Sequence, residues 1–193
     1  HKKKIKSNDN IIIFFSSWKP SFLKKKLKNL DQYILNLAQN FCEFKFIIKI
    51  HPLEDGTFWH KKEKIFKNIY VESSYEKIIK LIKISSLCIC PSHSSTPLDA
   101  VLFNSKPIIV DCDKIGRDFY QSYPELKKKT DESLPQILTR VNEDHKYKND
   151  LKKFYQENVN LKKNNIAIIA NEIQNVLKNK KIKYNFLKSN FRG

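Results

Sequence analysis

Short apolar runs alternate along the chain with longer segments in which apolar residues recur every three or four positions. The runs have the length of buried strands, and the longer segments have the spacing of amphipathic helices. Stacked βαβ units of this kind cross over right-handedly and give a parallel sheet with helices on both faces. The pattern predicts an α/β, Rossmann-like sheet of about five or six strands. Predicted strands are 11–15, 44–50, 69–71, 87–90 and 106–110, and the helices between them are 22–38, 58–66, 78–82 and 95–104.

The pattern in the rest of the chain predicts helices at residues 133–142, 147–157 and 164–178. We predict one domain over residues 1–180 and a basic tail over 181–193. Because the sequence starts at His1 without a Met, we expect it to be a fragment of a longer protein.

The net charge of +17 raises the question of an anionic partner. Lys is spread over the whole chain, and Arg117 and Arg140 are the only arginines before the last two residues. Recognition of base edges in nucleic acids favours Arg. We therefore expect the lysines to form a solvated surface, and we expect no nucleic-acid partner. The alternative of a basic module for nucleic acid or anionic lipid stays open.

Two further features bear on location. No run of about 18 apolar residues could span a membrane, so we expect a cytoplasmic protein, with peripheral contact to the anionic inner face of the cell membrane. Four cysteines without zinc-type spacing indicate a reducing compartment and no metal site.

Polar side chains follow the predicted strands where ligands bind in open parallel sheets, at the carboxyl ends. Ser16 and Ser17 follow the first strand, and His51 follows the second. His93 comes after the fourth strand and Asp113 after the fifth. A binding site along this edge is the resulting hypothesis.

The densest cluster is Ser94, Ser95 and Thr96, directly before the helix that Pro97 helps to start. Free N–H groups and hydroxyls at a helix start can hold a phosphate. Ser and Thr are equally the favoured N-caps when no ligand is present. Asp99 in the first turn suits the helix dipole, and could also bind a ligand hydroxyl.

Histidines at two strand ends add possible acid–base chemistry. His51 and His93 could each donate to a phosphate or act as general acid or base, although a lone His after a strand is commonly a structural hydrogen-bonder. With three glycines and no Gly-rich phosphate loop, the chain lacks the dinucleotide and ATP motifs.

The order of these motifs resembles a known group of enzymes. The segments "IIKIHP" (47–52) and "SHSSTPLDAVLFNSKPIIVDCD" (92–113) resemble the C-terminal, donor-binding half of GT-B-type transferases that build bacterial surface polymers. The most similar are the CDP-glycerol glycerophosphotransferases of teichoic acid synthesis and the capsule polysaccharide transferases, including polysialyltransferase-like enzymes. The resemblance covers roughly residues 11–125, and it departs from the pattern at Ser92-His93 and Ser105.

The resemblance implies that Ser94, Ser95 and Thr96 hold the donor diphosphate, and that His51 contacts phosphate or takes part in catalysis. We therefore expect a metal-independent transferase domain without a cofactor. It would move a sugar or glycerol phosphate from a CDP-, CMP- or UDP-linked donor to a surface polysaccharide or teichoic-acid-like polymer. The predicted catalytic residues are His51 and His93, and the donor-binding residues are Ser16, Ser17, Ser94, Ser95, Thr96 and Asp99, with Asp113 and Arg117 as further candidates.

A GT-B enzyme consists of two Rossmann-like halves, and this chain has room for one. We expect a missing N-terminal domain that completes the acceptor chemistry. An NDP-sugar 2-epimerase-like enzyme shares this architecture and remains an alternative, although the Arg-rich loop of such enzymes is not found here.

Overall fold

The fold is seen in a computed structural model that describes residues 10–17, 28–111 and 119–158. The predicted helix 164–178, the tail 181–193 and the residues Asp113 and Arg117 lie outside these ranges. The elements, in chain order, are β1 (Asn10–Phe15), α1 (Lys28–Asn40), β2 (Phe44–Lys49), α2 (Thr57–Ile65), β3 (Ile69–Glu72), α3 (Tyr75–Ile84), β4 (Leu87–Pro91), α4 (Thr96–Leu102), β5 (Pro107–Val110), a 3₁₀ turn (Pro124–Leu126), α5 (Leu134–Glu143) and α6 (His145–Asn158).

The described strands form one five-stranded parallel sheet in the order β3-β2-β1-β4-β5. The predicted α/β, Rossmann-like fold is confirmed. The chain first builds outward from β1 to β3, and then restarts on the other side of β1 with β4. The strand order therefore reverses between β1 and β4, and their carboxyl ends flank the crevice where α/β proteins bind ligands.

Strand β1 is the centre of the sheet and is buried on both faces. Ile12 and Phe14 face the core that α1 and α2 cover, while Ile11 and Ile13 face the core that α3 and α4 cover. Successive side chains of a strand point to opposite faces, so a continuous apolar run is what a strand between two helical layers requires. The site at the end of β1 is thus carried by a strand that both cores fix.

Asn68 fastens the turn that leads into β2. Its amide nitrogen donates to the carbonyl oxygens of Ala38 at 2.9 Å, Phe41 at 3.3 Å and Phe44 at 3.2 Å. These bonds connect the end of α1 with the start of β2. They stabilise the turn from which β2 starts.

Candidate functional site

The ends of β1 and β2 are joined through one serine hydroxyl. The Oγ of buried Ser16 accepts a hydrogen bond from the backbone N–H of His51, with a nitrogen–oxygen distance of 2.9 Å. The same hydroxyl donates to the Glu54 carboxylate. The Glu54 N–H in turn donates to the His51 carbonyl at 2.9 Å. We call Ser16, His51 and Glu54 the β1/β2 rim. Its three members fix each other before any ligand arrives.

The His51 ring has a defined tautomer. Its Nδ1 accepts the backbone N–H of Leu53 at 3.1 Å. A neutral imidazole has one donor and one acceptor nitrogen, so the proton lies on Nε2. The ring therefore presents an N–H donor rather than a base.

Ser17 lies next along the chain, at the edge where the strand order reverses. It is 5% exposed, and its Oγ has no hydrogen-bond partner among the described residues. An unsatisfied buried hydroxyl costs about 1–3 kcal/mol, and buried polar groups are bonded in the large majority of cases. A ligand oxygen in the crevice would satisfy this group.

The loop after β4 carries the serine cluster. Buried Ser92 donates from Oγ to the Asp111 carboxylate at 2.9 Å, which connects the ends of β4 and β5. Ser94 Oγ accepts the Thr96 N–H at 3.2 Å. Ser95, the residue before α4, makes no capping bond with its side chain and is exposed. Ser95 is the N-cap residue of α4 by position, but its hydroxyl makes no capping bond, whereas the Ser94 hydroxyl accepts the N–H of the first helical residue.

Asp99 lies in the first turn of α4, as the sequence predicts. It is half-buried, and desolvation raises the pKa of its carboxyl group. Burial also raises the pKa of Cys88 to about 11, opposed by hydrogen bonds from Ser105 and Ser85. The two β4 cysteines, Cys88 and Cys90, are buried core residues.

An aromatic pocket of about 480 Å³ opens beside the serine cluster. One part of its wall is apolar and aromatic, and the other part carries hydroxyl, amide and imidazole groups. Its lining residues are His93, Ser94, Ser95, Leu98, Phe119, Tyr120, Ser122, Tyr123, Phe154 and Asn158. Three residues predicted for the site, His93, Ser94 and Ser95, therefore share this pocket.

The tyrosines of the pocket are held through their hydroxyl groups. Tyr120 OH donates to the Ser94 carbonyl, and Tyr123 OH donates to the Glu157 carboxylate. The Asn158 amide donates to Tyr123 OH at 3.0 Å. Tyr120 is buried, and burial raises the pKa of its hydroxyl, which keeps it a donor. We call the loop after β4 together with this pocket the β4/β5 rim.

A buried ion pair supports the β4/β5 rim from behind. Arg140 on α5 donates from Nε and Nη2 to the two oxygens of Glu132, at 2.6 and 2.8 Å. It also donates to the carbonyl of Glu125 and, at 3.1 Å, to that of Lys127. Burial opposes ionisation of Glu132, but the Arg140 bonds and charge prevail and lower its pKa. The pair holds the segment that carries Tyr120 and Tyr123.

The structure places Thr96 and Asp99 in the first turn of α4 and divides the other described site residues between the two rims. Ser16 and His51 belong to the β1/β2 rim, whereas His93, Ser94 and Ser95 belong to the β4/β5 rim. Ser17 lies at the border between them. Sequence reasoning missed Tyr123, Phe154, Asn158 and Arg140. The signal for Phe154 was the helical periodicity of 147–157, which predicts a buried face but not its partner.

None of the helices in the described residues has the length and apolar character of a membrane span. The same part of the chain has no group of three or more His, Cys, Asp or Glu side chains arranged to hold a metal ion.

Comparison with known proteins gives matches among solved structures. The wall teichoic acid polymerase TagF matches with a TM-score of 0.50 and 17% identity, over 79% of this chain and 40% of that chain. A variant of TagF matches with a TM-score of 0.52 and 17% identity, over 91% of this chain and 46% of that chain. UDP-GlcNAc 2-epimerase from Neisseria meningitidis, bound to UDP-GlcNAc, matches with a TM-score of 0.47 and 15% identity, over 76% of this chain and 40% of that chain.

No protein-family model and no curated protein matches the sequence. At such identities the likeness to TagF shows the fold, that of a GT-B-type, Rossmann-like half. The chain spans less than half the length of these structures. The fold expected from the sequence resemblance is confirmed.

Proposed function

We propose that this chain is the donor-binding half of a transferase. It would bind a nucleotide-activated donor by its phosphates and pass a sugar or glycerol phosphate to a growing surface polymer. The donor would lie across the carboxyl edge of the sheet, from the β1/β2 rim to the serine cluster after β4.

The observation that carries this proposal is the hydroxyl of Ser17, which has no hydrogen-bond partner among the described residues. It is buried at the point where the strand order reverses, between β1 and β4. That point is where α/β folds bind nucleotides, and a phosphate oxygen is an acceptor that a serine hydroxyl can serve. A ligand there would remove the cost of a buried polar group left unbonded.

The serine cluster supplies the other side of the phosphate site. The Ser95 side chain makes no capping bond and is exposed, and Ser94 and Thr96 flank it. Asp99 in the following turn is placed to accept from a ligand hydroxyl. These residues match the positions that the resemblance assigns to donor binding.

His51 would stabilise the departing phosphate. In the transfer, an acceptor hydroxyl attacks the transferred group, the bond to the nucleotide phosphate breaks, and negative charge grows on that phosphate. The Nε2–H of His51 can donate to it, because Nδ1 is committed to the Leu53 N–H. A base role would require the proton to leave Nε2 first, so the tautomer favours donation. His93, the other predicted catalytic residue, would take up the proton that the acceptor hydroxyl releases as the new bond forms.

The polymer acceptor and the second domain belong to the same proposal. TagF is a wall teichoic acid polymerase. The match covers 40% of the TagF chain and 46% of the chain of its variant. Turnover would therefore need an N-terminal half, whereas donor binding would not. The positive charge of the chain would favour approach of an anionic donor.

The test is nucleotide binding by the chain as it stands. CDP, CMP or UDP at millimolar concentration should raise the melting temperature, because a ligand that binds only the folded state stabilises it. Ser94→Ala combined with Ser95→Ala should abolish the shift.

Ser105→Ala is the matched control. Ser105 is buried at the opposite edge of the sheet and bonds Ser85 Oγ at 2.8 Å. The control should lower the starting melting temperature and leave the nucleotide shift intact. A chain that no nucleotide stabilises, or a shift that survives in the double variant, would contradict the proposal.

A further inference from the structure

Three large apolar side chains are exposed on helix α2 and in the loop just before it. Leu53 is 66% exposed, Phe58 is 41% exposed and Ile65 is 70% exposed. Single exposed apolar residues are normal on a protein surface, but a contiguous group of them marks an interaction site. The segment 53–65 is therefore a candidate contact surface.

The exposed side of α2 combines apolar and cationic side chains. Phe58 and Ile65 lie on the same side of the helix because they are about two turns apart. Exposed Lys61 lies between them, and exposed Lys64 directly precedes Ile65. The Nζ of Lys62 lies 5.5 Å from the centroid of the Phe58 ring. We give the name α2 patch to Leu53, Phe58, Lys61, Lys64 and Ile65.

The opposite side of α2 is fixed to the sheet. Trp59 is buried, and its ring packs against that of Phe14 on β1 with the centroids 5.6 Å apart. The Glu63 carboxylate accepts the backbone N–H of Val71 on β3 at 2.9 Å. Turning the α2 patch inward would break these contacts, so the folded chain presents the patch to the outside.

An anionic lipid surface has the chemistry that matches the α2 patch. Lys side chains can lie along apolar surface while their ammonium groups stay at the polar boundary, and each Lys near an anionic leaflet adds attraction. Aromatic and aliphatic side chains on such a helix bury apolar area at the boundary of headgroups and acyl chains.

Other partners fit the α2 patch less well. Interfaces between proteins are depleted of Lys, and a second copy of a chain with a net charge of +17 would bring like charges together. Nucleic acid would engage the lysines through its phosphates, but it would leave Leu53 and Ile65 without a matching apolar surface.

We propose that the α2 patch binds an anionic lipid bilayer. Its apolar side chains would enter the boundary of headgroups and acyl chains, and its lysines would lie at the lipid phosphates. The inference assigns a defined surface to the peripheral membrane contact that we expect from the sequence. It goes beyond the proposed function, since donor binding requires no lipid and lipid binding requires no donor.

The experiment is flotation of the unmodified chain with vesicles in the absence of nucleotide. One set of vesicles is phosphatidylcholine alone, and the other is an equimolar mixture of phosphatidylcholine and phosphatidylglycerol. We expect binding to the anionic vesicles and little binding to the neutral ones. A net charge of +17 attracts the chain to any anionic surface, so matched variants must separate the α2 patch from this general attraction.

The first pair of variants tests the charge of the patch. Lys61→Glu with Lys64→Glu should weaken binding to the anionic vesicles roughly tenfold or more. Lys148→Glu with Lys152→Glu is the matched control, because these two lysines are exposed on α6 and their exchange alters the net charge by the same amount. The control should weaken binding only slightly.

The second pair tests the apolar part at constant charge. Phe58→Ser with Ile65→Ser should weaken binding roughly tenfold or more, because apolar burial is lost. The control is Ile84→Ser with Leu102→Ser, two side chains that are exposed on α3 and α4, and it should bind like the unmodified chain. Ile65→Ser alone repeats the test if the exchange of Phe58 disturbs Trp59, whose ring it contacts.

Three results would overturn the inference. The first is that anionic vesicles do not bind the unmodified chain, including the case in which only duplex DNA does. The second is equal weakening by the two charge variants, which would show attraction by the whole chain. The third is that the folded apolar variants of α2 bind the vesicles as tightly as the unmodified chain.

Discussion

The two halves of the sheet's carboxyl edge are built in different ways. In the β1/β2 rim, Ser16, His51 and Glu54 are bonded to each other within one short network. In the β4/β5 rim, bonds run outward to supporting segments, as from Tyr123 to the Glu157 carboxylate on α6, and a pocket stays open beside the β4 loop. One side is preorganised for a fixed contact, while the other leaves room for a variable group.

This difference suits a transferase domain. A donor phosphate has the same geometry in every cycle, and a rigid set of donors serves it best because no reorganisation is needed at the moment of reaction. A sugar or polymer end varies more and needs space. The predictions below test each side separately, starting with the support of the β4/β5 rim.

Arg140→Ala should have the largest effect. It leaves Glu132 as a buried carboxylate without its partner, which typically costs about 3–5 kcal/mol of unfolding free energy. Urea denaturation gives the number, and hydrogen exchange should show lost protection first at 124–127 rather than in β1. Arg140→Met with Glu132→Leu, a buried apolar pair, should recover much of the loss. A cost below about 1 kcal/mol, the level of an exposed ion pair, would contradict the assignment.

The same pair predicts an acid-sensitive contribution to stability. The pKa of Glu132 is lower in the folded state than its ordinary value. The stabilisation is therefore complete above the unfolded pKa and is lost as the pH falls through the folded pKa. Urea curves recorded from neutral to acid pH should approach each other for the unmodified chain and Arg140→Ala. Parallel curves would show that Glu132 is not the titrating partner.

Ser16→Ala should break the β1/β2 rim. It removes the acceptor of the His51 N–H and the donor to Glu54, and the loss of a bonded, buried group costs about 1–3 kcal/mol. Ser17→Ala is the matched control one residue away. Because Ser17 Oγ has no partner among the described residues, its removal should cost close to nothing in the free protein. Equal losses of unfolding free energy in Ser16→Ala and Ser17→Ala would contradict the difference that we assign to the two serines.

Tyr120→Phe should have a smaller effect on stability than Arg140→Ala or Ser16→Ala. It removes one hydrogen bond to the Ser94 carbonyl, which is worth about 0.5–1.5 kcal/mol. We expect nucleotide binding to weaken as well, because the bond positions the serine cluster. Tyr155→Phe, at an exposed site on α6, controls for the loss of a phenol. Unchanged nucleotide affinity in Tyr120→Phe would show that the loop holds its shape without this bond.

Local pattern was enough to predict the sheet and the strand-end residues. The run "IIIFF" is apolar at every position. A strand that is buried on both faces requires such a run, so β1 could be predicted from the local sequence alone. Ser94 and Ser95 followed from their place before a helix. The structure altered this reading in one detail, because Ser94 and not Ser95 accepts the helix N–H.

The supporting contacts could not be predicted in this way. Tyr120 and the Ser94 carbonyl are 26 residues apart in sequence, and Tyr123 and Asn158 are 35 apart. Such pairs depend on how α6 docks against the segment before α5, and helical periodicity gives a buried face without naming its partner. The buried state of Arg140 was equally hidden, since a lone Arg in a helix is usually solvated.

The most direct test of the account is calorimetric titration of the unmodified chain and of Ser17→Ala with CDP and UDP. The account predicts that Ser17→Ala folds with unchanged or slightly higher stability, and that it binds the nucleotide roughly tenfold or more weakly, as expected for a hydrogen bond to a charged group. Equal affinity in both proteins would contradict it, because the buried hydroxyl at the strand-order reversal would then serve no ligand.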